Sequence, residues 1–209
     1  MKRIIFILLL CLCLFIGGVN ASLPLSGKLI IIDVGHGAKD MGTSYGGLLE
    51  KDLNLEIAKI LEQELVKNGA SVILIREDDY DLSSPNSKLR KRNDFNNRIK
   101  YINNSNANLY LSIHINYLSD KSYSGAQVFY NKENKKLAEI IQKYLNTISY
   151  PRSIKKIPDV YMYDKLNIKG VLIECGFISN YKERVRLQTK EYKVELSKAI
   201  TKGLIEYYK

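Results

Sequence analysis

The tightest constraint in this sequence is its repeated alternation of two hydrophobic periods. Short β-branched runs are separated by longer segments whose apolar residues recur every three or four positions. Residues 28–34 (KLIIIDV) read as a buried strand, 71–75 (SVILI) as a second, 109–113 as a third, 127–130 as a fourth and 171–174 as a fifth. Leu53, Ile57, Leu61 and Leu65 mark one face of a helix over 52–68, with Asp52 as its expected N-cap and Gly69 placed to end it. Phe95, Ile99 and Ile102 line the inner face of a helix over 87–103. Leu137, Ile141, Tyr144 and Ile148 mark another, and Tyr192, Leu196, Ile200, Leu204 and Tyr207 a closing one. Strands alternating with helices predict an α/β domain on a mostly parallel twisted sheet flanked by helices. In such domains functional residues collect in loops at the carboxyl ends of strands.

The chain has 209 residues, enough for one domain with a full core and too few for two comfortable ones. Its first 21 residues read as a targeting segment. Lys2 and Arg3 precede an apolar run over 4–19, and Val19-Asn20-Ala21 has the small-residue spacing of a signal-peptidase site. The run is shorter than the roughly twenty residues of a membrane span. A cleaved signal is the expectation, with a retained anchor as the alternative. Neither Cys11 nor Cys13 sits in a lipoprotein-type cleavage context. The chain beyond is expected to be exported, touching a membrane only through this segment.

Cysteine and charge narrow the partners. Only Cys175 lies beyond the leader, so no intramolecular disulfide can brace the exported chain, and Cys175 reads as a small buried core residue. Lysine and arginine number 32 against 22 acidic residues, a net charge of +10 that falls to +8 without Lys2 and Arg3. Such an excess suits an anionic polymer or surface, and export argues against nucleic acid. The densest cluster, Lys88-Leu89-Arg90-Lys91-Arg92, reads as a solvated helix start.

The chain contains two histidines, and both fall where strands end: His36 in Asp33-Val34-Gly35-His36-Gly37 and His114 in Ser112-Ile113-His114-Ile115-Asn116. Crossover helices would bring both to one edge of a parallel sheet. Two carboxylates share that placement, Glu50 closing the first loop and Glu174 ending the 171–174 strand. Two imidazoles and a carboxylate with an open fourth position are a recurrent catalytic zinc set, and the spare carboxylate could serve as a base. From spacing alone, either carboxylate could instead be a surface charge.

Four stretches carry a family resemblance: Asp33-Val34-Gly35-His36-Gly37, Glu50-Lys51-Asp52-Leu53-Asn54-Leu55, Ser112-Ile113-His114-Ile115-Asn116 and Ile173-Glu174-Cys175-Gly176-Phe177-Ile178-Ser179-Asn180. In this order they resemble the zinc-dependent N-acetylmuramoyl-L-alanine amidases, and the likeness extends over 28–208. Arg76, Arg98 and Asn103 add lesser matches. The compact form is most similar to the germination-specific amidases of spore-forming bacteria. The resemblance implies that His36, Glu50 and His114 ligate one zinc ion and that Glu174 is the catalytic base. It implies peptidoglycan as substrate, cut between the lactyl group of muramic acid and L-alanine. It also implies a cell-wall or spore-cortex location and an exported partner that positions the enzyme or completes its zinc site.

Departures from the family pattern are few. Val34 stands where proline is usual and Asn108 where aspartate is common before the strand. The stretch from His114 to Glu174 is too short for the long inhibitory helix some division amidases carry. The loop over 150–167 is either a substrate rim or a plain connection. Two other readings compete: a zinc peptidase acting within the stem peptide, which product analysis separates, and a non-catalytic wall-binding protein, against which the intact His36, Glu50, His114 and Glu174 speak.

Overall fold

The computed structural model describes residues 22–131, 133–158 and 160–209; the expected leader, 1–21, lies outside the described residues. The β-branched run Leu29–Val34 forms β1, and a two-residue hairpin, β2 (Ser44–Tyr45) and β3 (Leu48–Leu49), follows it. Next come α1 (Glu50–Lys67), β4 (Ser71–Leu74), α2 (Arg90–Asn104) and β5 (Leu109–Asn116). The chain continues through β6 (Gln127–Tyr130), α3 (Lys135–Leu145), β7 (Lys155–Lys156) and a single turn α4 (Tyr161–Asp164). It closes with β8 (Gly170–Phe177), α5 (Tyr181–Leu187) and α6 (Lys190–Tyr207).

The main sheet has the order β4-β1-β5-β8-β6-β7. β4, β1, β5 and β8 are mutually parallel, so their carboxyl ends share one edge. β6 runs antiparallel to β8 with Gln127 opposite Glu174, so its first residue reaches that same edge. The α/β architecture with a mostly parallel sheet is therefore as the hydrophobic periods predict.

Strand alternation sorts residues into two layers. Ile30, Ile32 and Val34 of β1, Leu111 and Ile113 of β5, and Val171, Ile173 and Cys175 of β8 face the larger core, under α1, α3 and α6. Ile31 and Tyr110 face the smaller core with Ile102, Met162 and Tyr163, under α2 and α4. The same parity puts Asp33, Ser112, His114 and Glu174 on the smaller side. Cys175 is free and fully buried, as expected of a core residue.

Asp52 is not the N-cap of α1. The helix begins two residues earlier, with Leu49 in extended conformation as a cap that offers no side-chain acceptor. The loop backbone caps instead: Thr43 O accepts from Glu50 N at 2.9 Å and Met41 O from Lys51 N at 3.3 Å. This folding-back makes Glu50 the first helical residue and turns it to the strand ends. Asn108 does act locally: its Oδ1 accepts from Leu29 N at 2.7 Å, joining the starts of β1 and β5. The basic cluster lies at the solvated start of α2, where Arg90 pairs with Asp81 and Arg92 lies over the Tyr161 ring.

Candidate metal centre

The four residues singled out from the sequence come from four elements and meet at the carboxyl edge. His36 follows β1, Glu50 opens α1, His114 lies in β5, and Glu174 stands opposite His114 on β8. One ligand atom from each of His36, Glu50 and His114 lies within 4.8 Å of the others. Glu50 Oε1 is 3.1 Å from His36 Nε2 and 2.9 Å from His114 Nδ1. Atoms around a tetrahedral zinc with bonds of about 2.0–2.1 Å stand roughly 3.3 Å apart. The two rings meet edge to face, 82° apart in plane. The donor set and its spacing fit a divalent metal.

Charge points the same way. Glu50 is mostly buried, and burial opposes its ionisation, yet the contacts with His114 and His36 hold it well below the usual glutamate range. Burial likewise opposes a charge on His36, but Asp40 and Glu50 raise it to about 9. Nδ1 of His36 lies 3.0 Å from Asp40 Oδ2, close enough for an ion pair, although its N–H is not directed along a hydrogen bond. Asp40 and Glu50 thus flank the His36 ring, an arrangement that favours positive charge there.

Glu174 is outside this ligand set. Its Oε2 is sealed from solvent and has no hydrogen-bond partner, while the residue as a whole keeps some accessible surface. Burial and the neighbouring Glu50 push it up to about 8, with His36 pulling the other way. A carboxylate so placed can exchange a proton near neutrality.

The backbone that presents His36 is strained and clamped. His36 has φ 64° and Ala38 φ 50°, left-handed values that non-glycine residues adopt at a cost. Two buried arginines hold the loop through its carbonyls. Arg76 donates to Val34 O (3.1 Å), Gly35 O (3.0 Å) and Lys51 O (2.7 Å), and Arg98 donates to Val34 O and His36 O, each at 2.8 Å. Burial and Arg98 together lower Arg76 to about 10, so both stay cationic. The ligand carboxylate is held equally firmly: Thr43 N donates to Glu50 Oε2 at 2.8 Å, and Ile115 N and Asn54 Nδ2 donate to Oε1.

Two glycines give the ligands room. A Cβ on Gly35 would stand 2.5 Å from His114 Cε1, and one on Gly42, at φ +65°, 2.5 Å from Glu50 Oε2 and 2.6 Å from His36 Cδ2. Gly35→Ala and Gly42→Ala are each expected to cost about 1–3 kcal/mol through overpacking and to weaken divalent-metal binding. Denaturant melts and chelator competition check this. Wild-type values for both quantities would mean that the rings move aside freely.

Sequence reasoning singled out the ligands and Glu174 but gave no role to Asp33, Asp40, Ser112, Tyr163 and the two arginine clamps. Asp33 carried a signal, since a carboxylate inside a buried strand needs a partner. Tyr163 carried none. It sits in the 150–167 stretch, where β7 and α4 replace the expected loop, and lines a cavity of about 190 Å³ with His36, His114, Phe95, Met162 and Leu172.

The family model described as N-acetylmuramoyl-L-alanine amidase matches residues 30–206. The germination-specific N-acetylmuramoyl-L-alanine amidase of Bacillus subtilis is 42% identical over 195 residues, covering 90% of this chain and 82% of that one. A solved structure of the CwlD amidase from Clostridioides difficile, in complex with the GerS lipoprotein, is 37% identical with a TM-score of 0.81. It spans 86% of this chain and 98% of that one. The catalytic domain of CwlV, an N-acetylmuramoyl-L-alanine amidase of Bacillus (Paenibacillus) polymyxa, is 30% identical with a TM-score of 0.75, over 86% and 97% of the two chains.

Proposed function

The chain belongs to the N-acetylmuramoyl-L-alanine amidase family, and from its site we infer how it hydrolyses the amide bond between the lactyl group of N-acetylmuramic acid and the L-alanine of the peptidoglycan stem peptide. The observation that carries the reading is the convergence of His36, Glu50 and His114, with a sealed, unpartnered Glu174 oxygen beside them. We assign His36, Glu50 and His114 as ligands of one zinc ion per chain, with residues 28–208 as the catalytic unit. Zinc held there would supply Lewis acidity to the amide carbonyl and to the attacking water. Glu174 accepts the proton of that water as it attacks the lactyl carbonyl, then delivers it to the departing amine of L-alanine. Its raised proton affinity suits both halves of that transfer. Arg76 and Arg98 hold the His36 loop in its strained conformation through its carbonyls.

Spore-cortex maturation is the physiological role we favour, supported by the likeness to a germination-specific amidase. The apolar segment over 4–19 supports export, and no helix among the described residues is long and apolar enough to cross a membrane. The relative solved in complex with a lipoprotein supports an exported partner that positions this enzyme or completes its zinc site.

Mass spectrometry of peptidoglycan digested by the leader-free chain tests the activity. Zinc-loaded protein is expected to release stem peptides beginning with L-alanine and to leave glycan with unsubstituted lactyl groups; chelated protein is expected to release neither. Peptides cut internally, with the lactyl–alanine bond intact, would establish the peptidase reading instead. His36→Ala, Glu50→Ala and His114→Ala should each lose the metal, and full zinc in any of them removes that residue from the ligand set. Full activity of the purified chain alone on natural wall material would defeat the need for a partner.

A further inference from the structure

We propose that Tyr163 is a positioning residue for His114: its phenol links the imidazole Nε2 to a buried Ser112–Asp33–Arg98 chain that holds the ring with Nδ1 turned to the metal site. The inference rests on His114 being a metal ligand, and it concerns how the protein prepares that ligand. The contacts are Arg98 Nη1 to Asp33 Oδ1 at 2.6 Å, Ser112 Oγ to Asp33 Oδ2 at 2.7 Å, Ser112 Oγ to Tyr163 Oη at 3.0 Å, and Tyr163 Oη to His114 Nε2 at 3.3 Å.

Counting hydrogens gives the chain a direction. Arg98 can only donate, and the Asp33 carboxylate beside it can only accept. Ser112 has one hydroxyl hydrogen, and Asp33 takes it. The contact between Ser112 and Tyr163 must then carry the phenolic hydrogen, donated by Tyr163. With that hydrogen spent, Tyr163 can only accept from His114, so the imidazole hydrogen resides on Nε2. Nδ1, the nitrogen that faces Glu50 Oε1 at 2.9 Å, is the one turned to the metal site. Each hydroxyl is thus committed before the metal arrives.

The two histidines are supported differently. Away from Glu50, His36 turns its Nδ1 to Asp40 directly, whereas His114 Nε2 reaches the Asp33 carboxylate only through two hydroxyls. Tyr163 is nearly fully buried and packs in the smaller core with Met162, so phenylalanine should keep the ring's packing and lose only the link.

The experiment compares leader-free wild type, Tyr163→Phe, Ser112→Ala and the double variant, each checked for folding by circular dichroism. Zinc affinity is measured by chelator competition. Tyr163→Phe is expected to bind zinc about 10–100-fold more weakly, the usual loss when an outer hydrogen-bond partner of a ligating histidine is removed. Ser112→Ala is expected to fall in the same direction, and the double variant little further, because the two hydroxyls act in one chain. The spectroscopic readout is the imidazole proton of His114 in the zinc-loaded protein, in a chain with only two histidines. In wild type it should exchange slowly with solvent; in Tyr163→Phe that protection should vanish, while the His36 ring is unaffected. Equal zinc affinity in wild type and Tyr163→Phe, or an unprotected His114 proton in wild type, would overturn the positioning role while leaving the metal site intact. Wild type that takes up no zinc would overturn the site and this role together.

Discussion

Glu174→Gln is expected to keep its zinc and to lose about a hundred- to ten-thousand-fold in hydrolysis rate, the usual contribution of a positioned general base. The expectation rests on a separation visible in the fold. The three groups that converge are His36, Glu50 and His114, and Glu174 is not among them. Glutamine is nearly isosteric, so β8 keeps its register against β5, with position 174 opposite His114. Folding should not suffer either. Oε2 accepts no hydrogen bond in the native protein, so the change breaks none there. It also removes a carboxylate that Glu50 and burial already oppose. A variant as stable as wild type, with full zinc and almost no release of L-alanine-headed peptides, isolates proton transfer as the lost step. Loss of zinc would instead make Glu174 a ligand. Retention of both zinc and near-normal rate would end the proposed mechanism.

What could be read from the sequence follows from how locally each feature is encoded. Strands with every second residue in the larger core, such as Ile30, Ile32 and Val34, announce themselves by composition alone. That parallel strands bring His36, His114 and Glu174 to one edge follows from the crossover rule, so the grouping is legible in the sequence. The start of α1 is not, because its cap is the backbone of Met41 and Thr43, folded back across a hairpin of two-residue strands. No side-chain signature marks such a cap, and Asp52 was a reasonable but wrong substitute. The support of the site was hidden for a similar reason. Tyr163 lies 49 residues from His114 in the chain, and its partners meet it only once the strands have paired. Arg98 stood out as a helix residue, but nothing in its neighbours announced the acceptors it serves on β1 and the His36 loop.

Arg98→Ala is expected to cost about 3–5 kcal/mol, the range seen when one partner of a buried ion pair is removed. Only 2% of the Arg98 surface is exposed. Its guanidinium donates to Asp94 Oδ2 at 2.8 Å and to Asp33 Oδ1 at 2.6 Å, besides the carbonyls of Val34 and His36. Truncation strands two buried carboxylates and frees the carbonyl of a residue held at positive φ. Against the roughly 5–15 kcal/mol of an ordinary domain, that loss approaches unfolding. Lysine offers a test of which part matters. It restores one positive charge but cannot span acceptors on β1, α2 and the His36 loop at once. If charge alone stabilises the fold, Arg98→Lys should melt near wild type. If the fork geometry matters, it should recover only part of the stability lost in alanine and bind zinc more weakly than wild type, since His36 is then less restrained. Denaturant unfolding and chelator competition on the same samples measure both. An Arg98→Ala variant within 1 kcal/mol of wild type would show that water or a rearranged Asp33 replaces the guanidinium, and the clamp would have to be abandoned as the reason the loop holds its shape.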